Sequence, residues 1–443
     1  MKKIPLIPGL KVQMSRLGYV LDFLNEHPSF QAAGLCIVLA EEAASEGAIF
    51  YGGIPKVAKV ERYIPADALF FASDCVSTSN FIAVPYQLDD LQLWAVAQTG
   101  NGGPFYKDGR FGFDVLETIF FHISRYEEWL AGAAQKDLHG RIKEDYQFLV
   151  RHQLQQQAVV DQLVWALVKV LLGEVPQLPT RYRMTHDIDD IIKFEAWWRI
   201  YRSTFGVIWR REDLRKVGKL WRSYLGIVLA GANDPYDTYD WMLKTEARFE
   251  KVLYLLIGGQ TAFDTPYPLA HEQVDKIRRF CVERGYAIGL HPSYEAAQDA
   301  HQLATEQSEL ENWLGQPIHY SRQHYLRFHW PQTAVLLESA GISDDSSLGY
   351  SERIGFRCGT GFPYHLYNFD EERAYRFTET PMVFMDVSLL REGNYQEDQV
   401  SDLWHSFMAK NQYGTMITFN FHNSRFDDAW IHRVDLRKLY DQL

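Results

Sequence analysis

Thr185-His186-Asp187-Ile188-Asp189-Asp190 follows an extended-looking Arg181-Tyr182-Arg183-Met184 and a proline-rich punctuation from Pro176 to Pro179. The stretch reads as the end of a β-strand opening into a loop. Asp187 and Asp189 stand one residue apart, which in an extended segment points both carboxylates to the same side. Like charges held that close repel unless a cation or a proton sits between them. Two readings follow: a metal ligand beside a general base, or an aspartate-rich helix N-terminus, since Asp also caps helices well. The choice between them rests on what lies downstream.

After residue 180 the chain runs strand, loop, helix. Val252 to Ile257 reads as a buried strand ending at Gly258-Gly259, and a helix from His271 to Arg284 closes with Gly285 in the C-cap position. Tyr286 to Leu290 is another strand, ending on His291. A helix from Ala300 to Leu314, a short strand at Ile318 to Tyr320, a helix from Pro331 to Ala340, and strands at Pro381 to Asp386 and Thr415 to Phe421 complete the series. Such alternation implies a parallel sheet or barrel with helices outside. In these folds chemistry gathers where strands end. Asp187, His291, Arg322 and His422 all fall at predicted strand ends, which favours the metal and general-base reading.

The pattern changes near Pro176 to Thr180, so the chain divides into residues 1–178, a mixed α+β N-terminal domain, and residues 179–443. In the first part Gly34 to Ala40 and Ala68 to Ala72 read as buried strands, and Val115 to Ala131 and Gln155 to Leu172 as amphipathic helices. The polar residues His122, Arg125, Glu127 and Glu128 are explained by the polar face of a core helix. With 443 residues, 47% of them apolar, each part can bury its own core. A net charge of −12 leaves no basic footprint on the chain as a whole, which argues against nucleic acid and anionic membrane as partners. Cys36, Cys75, Cys281 and Cys358 are far apart, form no CxxC pair, and read as reduced structural residues. Pro5, Pro8, Lys11, Gln13 and Arg16 interrupt any apolar run at the N-terminus, and no run of about 18 apolar residues occurs elsewhere. Neither a secretory signal nor a membrane span is expected, and a cytoplasmic location is the default.

The residues at the strand ends resemble the polysaccharide deacetylase family, the NodB-type carbohydrate esterases with a distorted (β/α) barrel. Thr185-His186-Asp187-Ile188-Asp189 looks like that family's first motif, and Gly289-Leu290-His291-Pro292-Ser293-Tyr294 resembles the second. Arg322-Gln323-His324-Tyr325 is similar to the third, Asp344-Asp345-Ser346-Ser347 to the fourth, and Thr418-Phe419-Asn420-Phe421-His422-Asn423 to the last. The resemblance covers residues 180–430. It implies Asp187 as general base, Asp189 and His291 as metal ligands, His422 as general acid, Arg322 and Tyr325 lining the groove, and Arg322 and Asp345 holding the base or acid in orientation. One departure matters: four residues after His291, where the family has a second histidine, stands Glu295. His324, in the proline position of the third motif, is the first choice for the third ligand and Glu295 the second, because carboxylate oxygen also suits zinc.

The resemblance implies metal-assisted removal of an acyl group, acetyl by preference, from a carbohydrate or amino sugar, with a divalent ion, zinc as first choice, as cofactor. Trp241, in the acidic and aromatic run Asp234 to Trp241, would be a platform for a sugar ring or part of a helix start. Arg357 would contact an anionic substrate group or sit in a structural ion pair. The Gly355 to Gly361 segment lacks nucleotide-loop spacing. Two rivals remain: another amide or imide hydrolase on the same barrel, and a non-catalytic carbohydrate-binding or assembly protein, which the missing second histidine would suit.

Overall fold

The computed structural model describes residues 1–9, 13–40, 47–52, 62–72, 77–194, 197–209, 214–244, 249–392, 397–427 and 436–441. Its centre is a nine-stranded sheet. Across it run Tyr364–Asn368, Arg373–Glu379, Asp344–Asp345, Tyr320–Ser321, Ala287–Leu290, Glu250–Leu255, Arg181–Ile188, Met416–His422 and Phe384–Met385. All neighbours are parallel except Tyr364–Asn368, which is antiparallel to Arg373–Glu379. Parallel strands need helical crossovers, and Glu272–Arg284, Ala300–Leu314 and Gln332–Ser339 supply them. The first two end on Gly285 and Gly315 in the left-handed conformation, as expected for the first of them.

The strand carrying the aspartates is clamped centrally. Thr185, His186 and Asp187 lie opposite Asn420, Phe421 and His422 on one side and Val252, Leu253 and Tyr254 on the other. The same register pairs Ile188 with Leu255, Leu255 with Leu290, and Leu290 with Ser321. The next residues of three of these strands, Asp189, His291 and Arg322, therefore emerge at one height. Gly289 keeps this region close-packed: a Cβ there would stand 2.8 Å from both the Tyr254 ring and the Tyr320 carbonyl oxygen.

Residues 2–111 build a second, six-stranded sheet around Lys2–Pro8 and a small three-stranded one with the hairpin Ile82–Leu88 and Leu91–Ala97. One apolar core runs through both parts of the chain. The joint between them is polar as well. Arg16 pairs with Glu372 at 2.7 Å, Arg357 with Glu128 at 2.7 Å, and the Tyr19 hydroxyl donates to the His365 carbonyl at 2.6 Å.

Two expectations are corrected, and a third is matched only in part. Ala68 to Ala72 is not a strand, although Phe70 and Phe71 are buried. The N–H groups of Leu69 and Phe71 donate to the Glu117 carboxylate at 2.9 and 2.8 Å, and Phe70 O accepts from Arg16, so side chains take the bonds a ladder would have made. The helix expected from Val115 to Ala131 stops at Ile123 and restarts at Tyr126. Arg125 between them is left-handed, with φ 56°, and its guanidinium is sunk against Glu128. The third concerns the barrel. No pairing joins the two edge strands of the nine-stranded sheet among the described residues, and the antiparallel edge packs instead against the N-terminal helix Met14–Glu26. Cys36, Cys281 and Cys358 are free thiols, and Cys75 lies outside the described residues.

Two helices absent from the expectations above, Trp198–Trp209 and Arg215–Ala230, follow Arg181–Ile188 in the chain and precede Glu250–Leu255. They enclose their own small core of Ile200, Val207 and Leu220, separate from the main one.

Candidate active site

Asp187 sits at the end of its strand, 2% exposed, and both carboxylate oxygens are held. Arg322 Nη1 donates to Oδ1 at 3.0 Å, and Asn420 Nδ2 donates to Oδ2 at 2.7 Å. Burial alone would raise this carboxyl, but Arg322 and the imidazoles of His291 and His422 outweigh it and hold Asp187 below the usual carboxylate range. Arg322 is itself fixed, bonded to Ser346 and to Thr185 Oγ1 and lying 4.5 Å over the Tyr254 ring. Gly289 thus makes room for the ring that supports the arginine that orients Asp187.

Asp189, His291 and His324 bring one ligand atom each to within 4.8 Å of one another. His291 Nδ1 lies 2.5 Å from the Arg322 carbonyl oxygen, so Nδ1 carries the proton. Its Nε2 then faces Asp189 Oδ1 at 3.4 Å and Asp187 Oδ2 at 4.0 Å. His324 is arranged alike: its Nδ1 bonds Asp264 Oδ1 at 3.1 Å, which leaves Nε2 for the site. Asp189 Oδ1 is buried and takes no hydrogen bond. A lone pair opposite a carboxylate requires a proton or a cation between them, and burial notwithstanding, Asp187 and Asp189 raise the His291 pKa. Two imidazoles with donor nitrogens tied back by carbonyl or carboxylate, plus one orphaned carboxylate oxygen, fit a divalent cation of the zinc type. His324, and not Glu295, is the third member: Glu295 is exposed and outside the cluster.

His422 faces this group from the neighbouring strand, its Nε2 3.8 Å from both Asp187 Oδ2 and Asp189 Oδ2. Asp386 holds it twice, accepting from the His422 backbone N–H and from Nδ1, both at 2.8 Å. Burial opposes charge on this imidazole, yet Asp386 and the two site aspartates lift its pKa to about 9.

The sequence reading missed Asp264 and Asp386. Both lie outside the motifs: Asp264 is in the loop after Glu250–Leu255, where nothing but the fold brings it to a histidine, while Asp386 directly follows Phe384–Met385, at the end of the strand expected there, a signal that could have found it. Other expected site residues lie elsewhere. Asp345 accepts from Ser347 N–H and faces Glu379, so the carboxylate that orients His422 is Asp386. Arg357 is buried and bound bidentately by Glu128, the structural ion pair. Trp241 packs on Phe426 and Tyr440, 4.8 and 4.9 Å between ring centroids, in a short helix away from the pocket. Tyr325 does line the pocket, 38% exposed, beside His324.

An aromatic wall flanks the cluster. Phe263 stacks on Tyr294 at 4.3 Å, with Tyr325 and His139 against them. His139 bonds the Tyr294 hydroxyl at 3.0 Å, and Arg141 donates to the Tyr325 carbonyl at 2.7 Å while bound by Asp137. Residues before 178 therefore form part of the site wall.

A family model of unknown function, DUF7033, matches residues 10–176. A comparison with curated proteins finds no match. Among solved structures, a protein assigned as a polysaccharide deacetylase from Mycobacterium smegmatis is 14% identical over 60% of this chain and 83% of its own, with a TM-score of 0.34. The allantoinase PuuE is 12% identical over 59% and 82%, with 0.33. The carbohydrate deacetylase Agd3 is 10% identical over 97% and 80%, with 0.29. At these scores none of them assigns an activity to this chain.

Proposed function

We propose that this chain is a metal-dependent hydrolase that removes an acyl group, acetyl by preference, from a carbohydrate or amino sugar, on a site of the NodB type. The observation that carries it is the pairing of the Asp189, His291 and His324 cluster with two oppositely prepared groups, a depressed Asp187 carboxylate and a raised His422 imidazole. Groups whose surroundings push their pKa values apart divide the base and acid roles between them. A divalent cation held by Asp189, His291 and His324 would supply Lewis acidity toward the acyl carbonyl and the attacking water.

The chain's own residues supply the proton chemistry. Asp187 takes the proton of the water as its oxygen bonds to the acyl carbon. Arg322 and Asn420 keep that carboxylate in place and ionised. His422 gives its Nε2 proton to the leaving nitrogen or oxygen as the acyl bond breaks, so a carboxylic acid and a free amine or alcohol leave. Asp386, accepting from Nδ1–H, favours the imidazolium form that carries this Nε2 proton. The aromatic wall, whose exposed Tyr325 lines the pocket beside His324, supports a carbohydrate, since the apolar faces of sugar rings stack on aromatic side chains. Residues 1–178 contribute His139 and Arg141 to that wall.

The test is metal content of protein purified without chelator, together with acetate release from N-acetylated and O-acetylated sugars. Near-stoichiometric metal in the wild type and in Glu295→Ala, lost in Asp189→Ala, His291→Ala and His324→Ala, is expected. A wild type that takes up neither zinc nor cobalt would sink this function and leave a sugar-binding protein as the better account.

A further inference from the structure

The residues between 197 and 231 differ from the rest of the chain in two ways. They carry eight Lys or Arg against two Asp or Glu, a local charge of +6 in a protein whose net charge is −12. They also hold ten of the twenty-one large apolar residues that the described structure leaves exposed. The helices Trp198–Trp209 and Arg215–Ala230 bury their inward positions against each other, with Ile200 and Val207 of one meeting Leu220 of the other and Trp221 Nε1 donating to Thr204. What faces outward is apolar again. Trp198, Tyr201, Phe205 and Ile208 recur at helical spacing along the first helix, 46–67% exposed, and Trp209 at its end is 76% exposed. Leu225, Val228 and Leu229 close the second helix in the same way.

A helix pair whose inner apolar face is already satisfied gains nothing within this fold from a second, aromatic one. Trp and Tyr set among Lys and Arg suit the boundary between headgroups and acyl chains, where an aromatic body is buried and a cation meets lipid phosphate. At 12 and 16 residues the helices are too short to cross a bilayer, and no described helix can. We infer that the 197–231 hairpin docks this protein on the surface of a membrane containing anionic phospholipid. The charge argument made from the whole chain does not hold for this segment, because the Debye length of about 10 Å confines what a bilayer senses to the nearest surface.

The root of the hairpin is fixed to the site end of the nine-stranded sheet. Asp234 accepts from the N–H groups of Lys193 and Phe194 at 2.9 and 3.1 Å, Lys193 pairs with Asp427, and Arg199 lies 3.7 Å from Asp190, the residue after Asp189. The helix pair is therefore rooted beside the candidate site.

The test is co-sedimentation of the full chain with vesicles of phosphatidylcholine alone and of phosphatidylcholine with about a third phosphatidylglycerol, at low and high salt. At least tenfold more protein should sediment with the anionic vesicles, and salt should reverse much of the gain. Phe205→Ser with Trp209→Ser, and separately Arg202→Glu with Arg222→Glu, should each abolish the binding while circular dichroism and metal content stay at wild-type values. Equal sedimentation with both vesicle types, or none, would overturn the inference. So would a concentration-dependent dimer that dissolves in the Phe205→Ser, Trp209→Ser variant without any vesicle binding, which would assign the face to a second copy of the chain.

Discussion

Asp264 and Asp386 each hold one histidine by Nδ1 and so decide which nitrogen the site receives. Removing such a partner leaves the ligand or acid in place but misdirected, at a typical cost of 10–100-fold. Asp264→Asn should therefore weaken metal affinity by that factor, read by competition with a chelator. Asp386→Asn should lower turnover by a similar factor with metal content intact. Asp187→Asn is expected to cut turnover a hundredfold or more while the metal stays bound; loss of metal from this variant would move Asp187 into the ligand set. Asp187, Asp189, His291, Arg322 and His422 were legible because strand ends can be read from hydrophobic runs, and the fold does gather those five. Asp264 was not, since it lies in neither a periodic pattern nor a motif; Asp386 ends the strand expected from Pro381, and the same strand-end signal could have found it. The Asp344-Asp345-Ser346-Ser347 run misled for the opposite reason: its polar look belongs to a buried cross-strand pair.

That pair lies between two strands. Asp345 stands opposite Glu379 in the parallel register, both fully buried. Burial raises both carboxyls, that of Asp345 to about 6, and the repulsion between them adds to the rise at Glu379. The folded protein thus keeps a proton that an unfolded chain gives up near pH 4. The stability tied to that proton is complete below the unfolded pKa and drains away as pH rises through the folded one. Wild-type urea midpoints should fall between pH 5 and pH 8, and Glu379→Gln should flatten that fall; an equal slope in both proteins would count against a shared proton. Among the elements, Arg181–Ile188, Glu250–Leu255, Ala287–Leu290, Met416–His422 and the crossover helices were readable from their apolar patterns, while the parallel pair Asp344–Asp345 and Arg373–Glu379 was not. The Trp198–Trp209 and Arg215–Ala230 helices were passed over although apolar residues recur at helical spacing along both, so they too were legible in principle.

At the scale of the molecule, the two parts of the chain are joined by buried charge. Glu128 is bound by Arg125 at 2.6 Å and by Arg357 at 2.7 Å, all three nearly inaccessible. Glu128→Gln strands two guanidinium groups without their counter-ion, and the cost of breaking such a buried set is about 3–5 kcal/mol. Urea unfolding should show a loss of that size, with one transition for both parts of the chain. Composition could not disclose this joint, since the partners are separated by more than two hundred residues.

A separation of the same order governs how the candidate site comes into being. Arg181–Ile188 lies between a strand that begins at Glu250 and one that ends at His422. During synthesis the first aspartates emerge more than two hundred residues before the histidine and asparagine that complete their surroundings. Until Met416–His422 is made and docks, one side of the central strand has no hydrogen-bonding neighbour and Asp187 lacks Asn420. Contacts this distant close slowly, because loop entropy must be overcome before any pairing is formed. The growing chain therefore remains without the assembled site, and with an open strand edge, until Met416–His422 has left the ribosome.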